Sequence, residues 1–240
     1  MRAKLMLIAG IFAGMAALAV CFGALYWLLL PERFPVSQVE VKGDLKRTTP
    51  AEIEAALPRV AGNGAVNFFA ADLTAVRAGV ERLPWVRRVA VRRVWPDRLE
   101  VSVEEHVALA RWGTGDEMSR LVNTHGETFS GKSKEALPAF IGPGGTAAEM
   151  TRRYRRFAEI VAPLGTGVER VVLSPRHAWQ LRLGNGLHLM LGRDADLAEQ
   201  RLKKFVEAHP ATLARSRQKH DYVDLRYPNG FALRVPDWNG

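Results

Sequence analysis

The sequence predicts an α+β protein on a single N-terminal transmembrane helix, with a compact β-α-α-β-β unit followed by a C-terminal domain of antiparallel strands with two helices. Three observations carry this. Leu5–Leu30 is an uninterrupted apolar run of 26 residues. Thr49-Pro50 with Glu52 spells the start of a capped helix. Leu99–Glu104 alternates strictly, with Leu99, Val101 and Val103 on one side and Glu100, Ser102 and Glu104 on the other, as a half-buried strand does. With 240 residues, 48% hydrophobic and 25% charged, the chain can build one or two ordinary cores.

The apolar run LMLIAGIFAGMAALAVCFGALYWLLL carries no charge from Leu5 to Pro31. At ~1.5 Å per residue it reaches about 39 Å, more than a hydrocarbon core of roughly 30 Å, so it spans with some tilt. Tyr26 and Trp27 suit the far interface. The competing reading is a cleaved signal peptide, whose apolar part is about 7–15 residues long and ends at small residues. This run is too long, and Val20 before Cys21 is too bulky for a lipoprotein cut. Arg2, Lys4 and the terminal amine form a short tail that stays in the cytoplasm, with the remaining chain outside it. Cys21 is the only cysteine and lies in the span, so the exported part forms no disulfide and depends on packing. Gly10 and Gly14 have the spacing of close helix packing, a motif common by chance in apolar helices.

Beyond Pro31 and Pro35 a first strand covers Val36–Val41 and stops at Gly43. The helix capped by Thr49 follows, then a loop at Gly62-Asn63-Gly64. Asp72 caps a second helix in which Leu73, Val76, Val80 and Leu83 recur at helical spacing before Pro84. Arg82–His106, RLPWVRRVAVRRVWPDRLEVSVEEH, places six arginines in 25 residues. As a hairpin turning at Val94–Arg98, it sets Val91 against Val101 and Val89 against Val103 on the buried face. Arg92 then faces Glu100 and Arg88 faces Glu104 on the other. A one-residue slip would turn the valines outward.

The second half begins with short strands at Val107–Trp112, Arg120–Val122 and Leu137–Ile141. A helix over Ala148–Ala162 follows, and a three-layer arrangement of helices on sheet is expected. After a strand at Val168–Leu173, Ala178–Leu191 reads as a hairpin around Gly184-Asn185-Gly186, pairing Leu183 with Leu187, Leu181 with Leu189 and Trp179 with Leu191. A last helix covers Asp196–Ala208. The closing stretch reads as a hairpin with the loop Pro228–Gly230, pairing Tyr227 with Phe231, Leu225 with Leu233 and Val223 with Val235. Its final strand, Phe231–Val235, is an edge able to accept a partner strand. The boundaries are thus a tail at 1–4, a transmembrane helix at 5–30, a first domain at 34–105 and a second at 106–240.

A formal net charge of +9 and a pI near 10.1 are compatible with binding polyanions. The arginines fall on the exported part, however, and no nucleic-acid-binding motif accompanies them. Six histidines, at 106, 125, 177, 188, 209 and 220, show no metal spacing, and no cysteine supports them. GxSxG is absent, IGPGGT at Ile141–Thr146 lacks the lysine of a phosphate loop, and Glu104 and Glu105 point to opposite faces of one strand. Neither a catalytic group, a metal nor a cofactor is expected. Arg87, Arg88, Arg92 and Arg93 read either as a charge-paired sheet surface or as a recruitment face for other proteins.

A β-α-α-β-β order after a membrane anchor resembles a POTRA domain. VxVxGD at Val39–Asp44, NFF at Asn67–Phe69, RLPWV at Arg82–Val86 and VRRVWPDRLEVSVEEHVALARW at Val91–Trp112 resemble the FtsQ/DivIB family of bacterial cell-division proteins. HAWQLRLGNGLHLMLGR and YVDLRYPNG extend that resemblance over nearly the whole chain. It implies a non-enzymatic divisome scaffold in the inner membrane at the division septum, with its C-terminal domain in the periplasm. Such a protein binds the FtsB/FtsL coiled-coil complex, helps control septal peptidoglycan synthesis and meets other divisome proteins through its POTRA domain. Carried over by motif, the partner-binding residues are Arg176, Arg226, Tyr227 and Gly230. The open edge adds Phe231 and Arg234. The alternative is a POTRA protein of outer-membrane assembly or secretion that binds substrates by strand addition, though such proteins usually carry POTRA repeats or end in a β-barrel. A tethered cell-wall enzyme would need a polar cluster that the sequence does not offer.

Overall fold

A computed structural model describes residues 2–30, 34–57, 66–113, 120–212, 222–227 and 230–234. The loop expected at Gly62–Gly64 and the turn residues Pro228 and Asn229 lie outside them, as does Val235. The chain folds as two compact units, Met1–Glu105 and His106–Gly240.

The first unit opens with helix α1, Arg2–Leu29. Within it Ile8–Leu28 is long and apolar enough to cross a membrane, and none of that stretch is buried against protein. An apolar helix left exposed along its length suits a lipid solvent. Strand β1 (Gln38–Lys42), helices α2 (Pro50–Ala56) and α3 (Leu73–Val80), and strands β2 (Val86–Val94) and β3 (Arg98–Glu105) follow in the expected β-α-α-β-β order. Both helix starts have the predicted chemistry. The Thr49 hydroxyl accepts the Glu52 N–H at 3.3 Å while the Glu52 carboxylate accepts the Thr49 N–H at 2.7 Å. Asp72 accepts from Thr74 and Ala75 N–H at 2.9 and 3.0 Å.

The sheet order is β1-β3-β2, with β1 parallel and β2 antiparallel to the central β3. Val89 lies opposite Val103, Val91 opposite Val101, Arg88 opposite Glu104 and Arg92 opposite Glu100, the predicted register. Val89, Val101 and Val103 are buried with Leu99, Ile53, Val76 and Phe68 in this unit's core. One detail differs. An irregularity between Val86 and Arg88 lets Arg87, rather than Arg88, ion-pair with Glu104 at 2.6 Å. Glu105 turns its carboxylate onto the Lys46, Arg47 and Thr48 N–H groups, at 2.6–3.2 Å, and so pins the loop between β1 and α2.

The second unit contains β4 (Ala108–Trp112), β5 (Arg120–Asn123), β6 (Thr128–Ser130), β7 (Ala139–Ile141), α4 (Ala147–Val161), β8 (Val168–Leu173), β9 (Trp179–Leu183), β10 (His188–Gly192), α5 (Ala195–Ala208), β11 (Tyr222–Asp224) and β12 (Ala232–Arg234). These strands form one sheet in the order β12-β11-β10-β9-β8-β7-β4-β5-β6. It is mixed rather than wholly antiparallel, because β4/β7, β7/β8 and β10/β11 run parallel. Strand β6 was not foreseen. A turn organised by buried Asn123, whose Oδ1 accepts the His125 and Glu127 N–H groups at 2.9 Å, folds it back onto β5.

Helices α4 and α5 lie side by side on the sheet, α4 against β8 and α5 against β10, giving two layers rather than three. Arg153 of α4 bridges them by ion pairs to Glu199 at 2.7 Å and Asp196 at 2.9 Å in α5. The physical reason lies in the strands. Val171, Leu181, Leu183 and Leu189 face the helices and are buried, whereas the opposite positions, Arg170, Gln180, Arg182 and His188, are too polar to seat another layer.

Leu181 pairs with Leu189 as predicted, and the Leu183 N–H donates to Leu187 O at 2.9 Å. A bulge at Leu191 then shifts Trp179 onto Gly192 instead of Leu191, which is nonetheless fully buried.

Candidate partner-binding edge

The closing hairpin departs furthest from its predicted register. Val223 pairs with Leu233 and Asp224 with Ala232, so the pairs Tyr227–Phe231, Leu225–Leu233 and Val223–Val235 do not form. Leu225 continues along β10 instead, its N–H donating to Met190 O at 2.9 Å and its side chain buried. The connection from β11 to β12 therefore runs from Leu225 to Phe231, well beyond the three residues expected.

Asp224 shapes the start of that connection. Its Oδ1 accepts the Arg226 backbone N–H at 3.0 Å, and its two oxygens take the Arg226 Nε and Nη2 at 2.9 and 2.6 Å. The guanidinium holds the Asp224 carboxyl below the usual carboxylate range, and the carboxylate in turn raises Arg226. Arg226 was expected to offer its fork to a partner. One edge of the fork is already engaged, while the side chain stays 56% exposed.

Beyond the clamp, Tyr227 stands 57% exposed, away from the core position its predicted pairing implied. Phe231 folds back and meets Phe205 of α5 edge to face, with ring centres 5.6 Å apart. Between α5 and this connection lies a cleft of about 790 Å³ lined by Leu197, Arg201, Lys204, Phe205, Leu225, Tyr227, Gly230 and Phe231. Its floor is apolar and its rim cationic. Gly192, at φ +95°, lets the walls close up, since a Cβ there would stand 2.8 Å from Arg201 Nη1 and 3.4 Å from Arg226 Cγ. Arg201 also donates to Leu191 O at 2.8 Å, tying α5 to the end of β10.

Three of the six predicted partner residues, Tyr227, Gly230 and Phe231, thus share one cleft, with Arg226 beside it. Arg176 sits in the exposed turn between β8 and β9, where the Ser174 hydroxyl accepts the Ala178 N–H at 2.9 Å and His177 adopts φ +58°. Because β9 starts opposite Gly192, the last residue of β10, that turn is at the same end of the sheet as Arg226. Arg234 pairs with Tyr222 at the other end of the short β11/β12 ladder. Strand β12 is the sheet's edge, and its three residues are exposed. The contribution of α5 was missed. It was legible as a spacing, since Leu197, Arg201, Lys204 and Ala208 recur every three or four residues beside the core stripe.

The four arginines of β2 do not form one face. Arg92 is bonded to Glu100 at 2.7 and 3.0 Å, in a carboxylate that Lys42 also holds at 2.7 Å. Arg93 points to the helix side and donates to Phe68 O and Ala71 O at 2.8 and 2.7 Å. Arg87 is largely covered in its pair with Glu104, and Arg88 is exposed on the outer face with Arg92, whose side chain stays 69% exposed while it holds Glu100. What the sheet presents is a charge-paired surface. Among the described residues no three His, Cys, Asp or Glu side chains gather as a metal site.

Comparison with known proteins agrees with both units. Residues 34–106 match the family described as POTRA domain, FtsQ-type, and residues 110–226 match Cell division protein FtsQ/DivIB, C-terminal. The second match stops just before Tyr227, so the far wall of the cleft and β12 lie past it. The chain is 40% identical over 225 residues to Cell division protein FtsQ of Nitrosospira multiformis, covering 92% of each chain. It is 38% identical over 237 residues to that of Burkholderia pseudomallei, covering 97% of this chain and 92% of the relative. To that of Neisseria gonorrhoeae it is 33% identical over 225 residues, covering 93% and 89%. Fold, motifs and full-length relatives together place the chain in the FtsQ family of cell division proteins.

Proposed function

We propose that the chain is a non-enzymatic divisome scaffold whose second domain, 106–240, docks an extended segment of the FtsB/FtsL complex as a further strand on β12. The observation carrying this reading is an exposed sheet edge beside an apolar cleft with a cationic rim. An edge strand supplies unpaired backbone groups that give affinity without sequence demands. The cleft supplies a seat for a bulky apolar side chain, and Arg201, Lys204 and Arg226 favour an acidic segment. Arg176, Tyr227, Gly230, Phe231 and Arg234 complete the docking surface. The first domain, 34–105, meets other divisome proteins, with Arg88 exposed on the outer face of its sheet. Helix α1 anchors the protein as a single pass in the inner membrane, its N-terminus cytoplasmic and its domains periplasmic at the septum, where docking helps regulate peptidoglycan synthesis.

The test is a titration of the full chain in nanodiscs with the exported segments of FtsB and FtsL. Tyr227→Ala removes an exposed aromatic anchor without touching the core and is expected to weaken binding by about 2 kcal/mol, roughly 30-fold. Lys204→Glu should weaken it with a reduced salt dependence. Arg226→Glu is a poor probe because it would set two carboxylates together at Asp224. Absence of binding by the unmodified chain would sink the assignment.

A further inference from the structure

Asn67 joins two parts of the first unit in a way that partner docking does not use. The last carbonyls of a helix have no donor within it. At the end of α1, Leu28 O and Leu30 O each accept from Asn67 Nδ2 at 2.8 Å. The other end of the same amide, Oδ1, accepts the Phe69 and Ala70 N–H groups at 2.8 and 3.3 Å. One side chain, 2% exposed, therefore finishes the helix and folds the turn at 67–70. Arg93 grips that turn from β2 through the carbonyls of Phe68, Phe69 and Ala71. Phe34 O accepts the Phe68 N–H at 2.7 Å, which closes the frame.

This much hydrogen bonding holds an aromatic ring outward. Phe68 is buried, but Phe69 is 42% exposed and leans edge to face on Phe34, with centres 5.5 Å apart. Leu28 is also the last residue of the apolar span. A turn bonded to that residue stands where hydrocarbon gives way to headgroups, a layer about 5–7 Å deep in each leaflet. Rings are favoured at that depth.

We propose that the 67–70 turn, with Phe34 and Phe69, is a foot that seats the first unit in the interfacial layer of the bilayer and fixes its orientation to the membrane. The proposal rests on the reading of α1 as a membrane span. The occupant is lipid because the turn is continuous, through Asn67, with the end of the span. Substituting Asn67 by Asp keeps the size and the acceptor but replaces the NH2 donor by an anionic oxygen facing two carbonyls, so it releases the foot.

The test uses the full chain in phospholipid nanodiscs, with a nitroxide on single cysteines and its accessibility to oxygen and to a water-soluble nickel chelate. Native Cys21 reports on the span. In a Cys21→Ala background, Ala70→Cys reports on the foot beside Phe69, and Glu81→Cys serves as a solvent reference. Cys21 is expected to read as hydrocarbon, position 70 as interface and position 81 as water. Adding Phe69→Ser or Asn67→Asp should shift position 70 to the values of position 81 without lowering the thermal transition to the assay temperature. A water-like position 70 beside a hydrocarbon Cys21 overturns the foot and leaves the span standing. A water-like Cys21 removes the span and the foot with it. A position 70 unmoved by Phe69→Ser also overturns the proposal.

Discussion

Glu100 shows how one residue answers two sequence-level questions. It is the acidic partner predicted for Arg92, and it also takes Lys42, so a carboxylate only 6% exposed is held by two cations. Their hydrogen bonds, Arg92 first and Lys42 second, bring it from an ordinary 4.5 to about 2. A depressed folded value means stability that is complete above about pH 4.5 and is lost as pH falls from there through about 2. Glu100→Gln should therefore flatten that part of the acid limb, seen as a smaller drop in urea midpoint between pH 5 and pH 2.5. Equal drops would show that other carboxylates govern acid unfolding. The residue scale is also where sequence reading was weakest. Tyr227 and Arg226 are both exposed, but nothing in DLRYPNG says that Asp224 claims the arginine's fork first.

At the scale of elements, legibility depended on whether the pattern penalised alternatives. In the β2/β3 hairpin an apolar face and a charged face both had to match, and a one-residue slip breaks both, so the register was readable. In the β11/β12 hairpin the observed and expected registers differ by two residues. Such a shift leaves every side chain on its own face, so alternation cannot distinguish them, and the assumption of a short loop decided wrongly. Strand β6 was hidden for a different reason. Three residues carry no periodicity, and the turn before it is set by a buried Asn123 and by Gly126. Gly126 has φ +83°, and a Cβ there would lie 2.6 Å from the Ala148 Cα. Gly126→Ala is accordingly expected to cost more than about 1 kcal/mol, because both conformation and space forbid it. A thermal transition within a degree of the unmodified protein's would contradict this.

For the whole molecule the composition was a poor guide and the order of elements a good one. A net charge of +9 suggested polyanions, yet much of the arginine content is spent on structure: Arg93 on carbonyls, Arg153 on the α4–α5 seam, Arg92 and Arg226 on buried acids. Each unit has its own core, of Ile53, Val76, Leu99 and Val101 in one and Phe140, Phe157, Trp179 and Leu202 in the other. Phe140 is fully buried against Tyr154, with ring centres 5.2 Å apart. Phe140→Ala should cost about 3–5 kcal/mol. Its mark in amide hydrogen exchange is expected across β7, β8 and α4, and an unchanged exchange pattern there would argue against the assigned core.

The Phe34–Phe68 hydrogen bond also works as a ruler. From the end of α1 at Leu29 to Phe34, already fastened to the folded unit, the chain has only five steps. Fully extended, they reach roughly 17 Å. With α1 in the bilayer, the base of the first unit stays within that height. An upright helix anchored in the same membrane climbs past it in about eleven residues. Any partner that touches this base is therefore chosen by its juxtamembrane segment, counted from the lipid outward, before side-chain chemistry has any say.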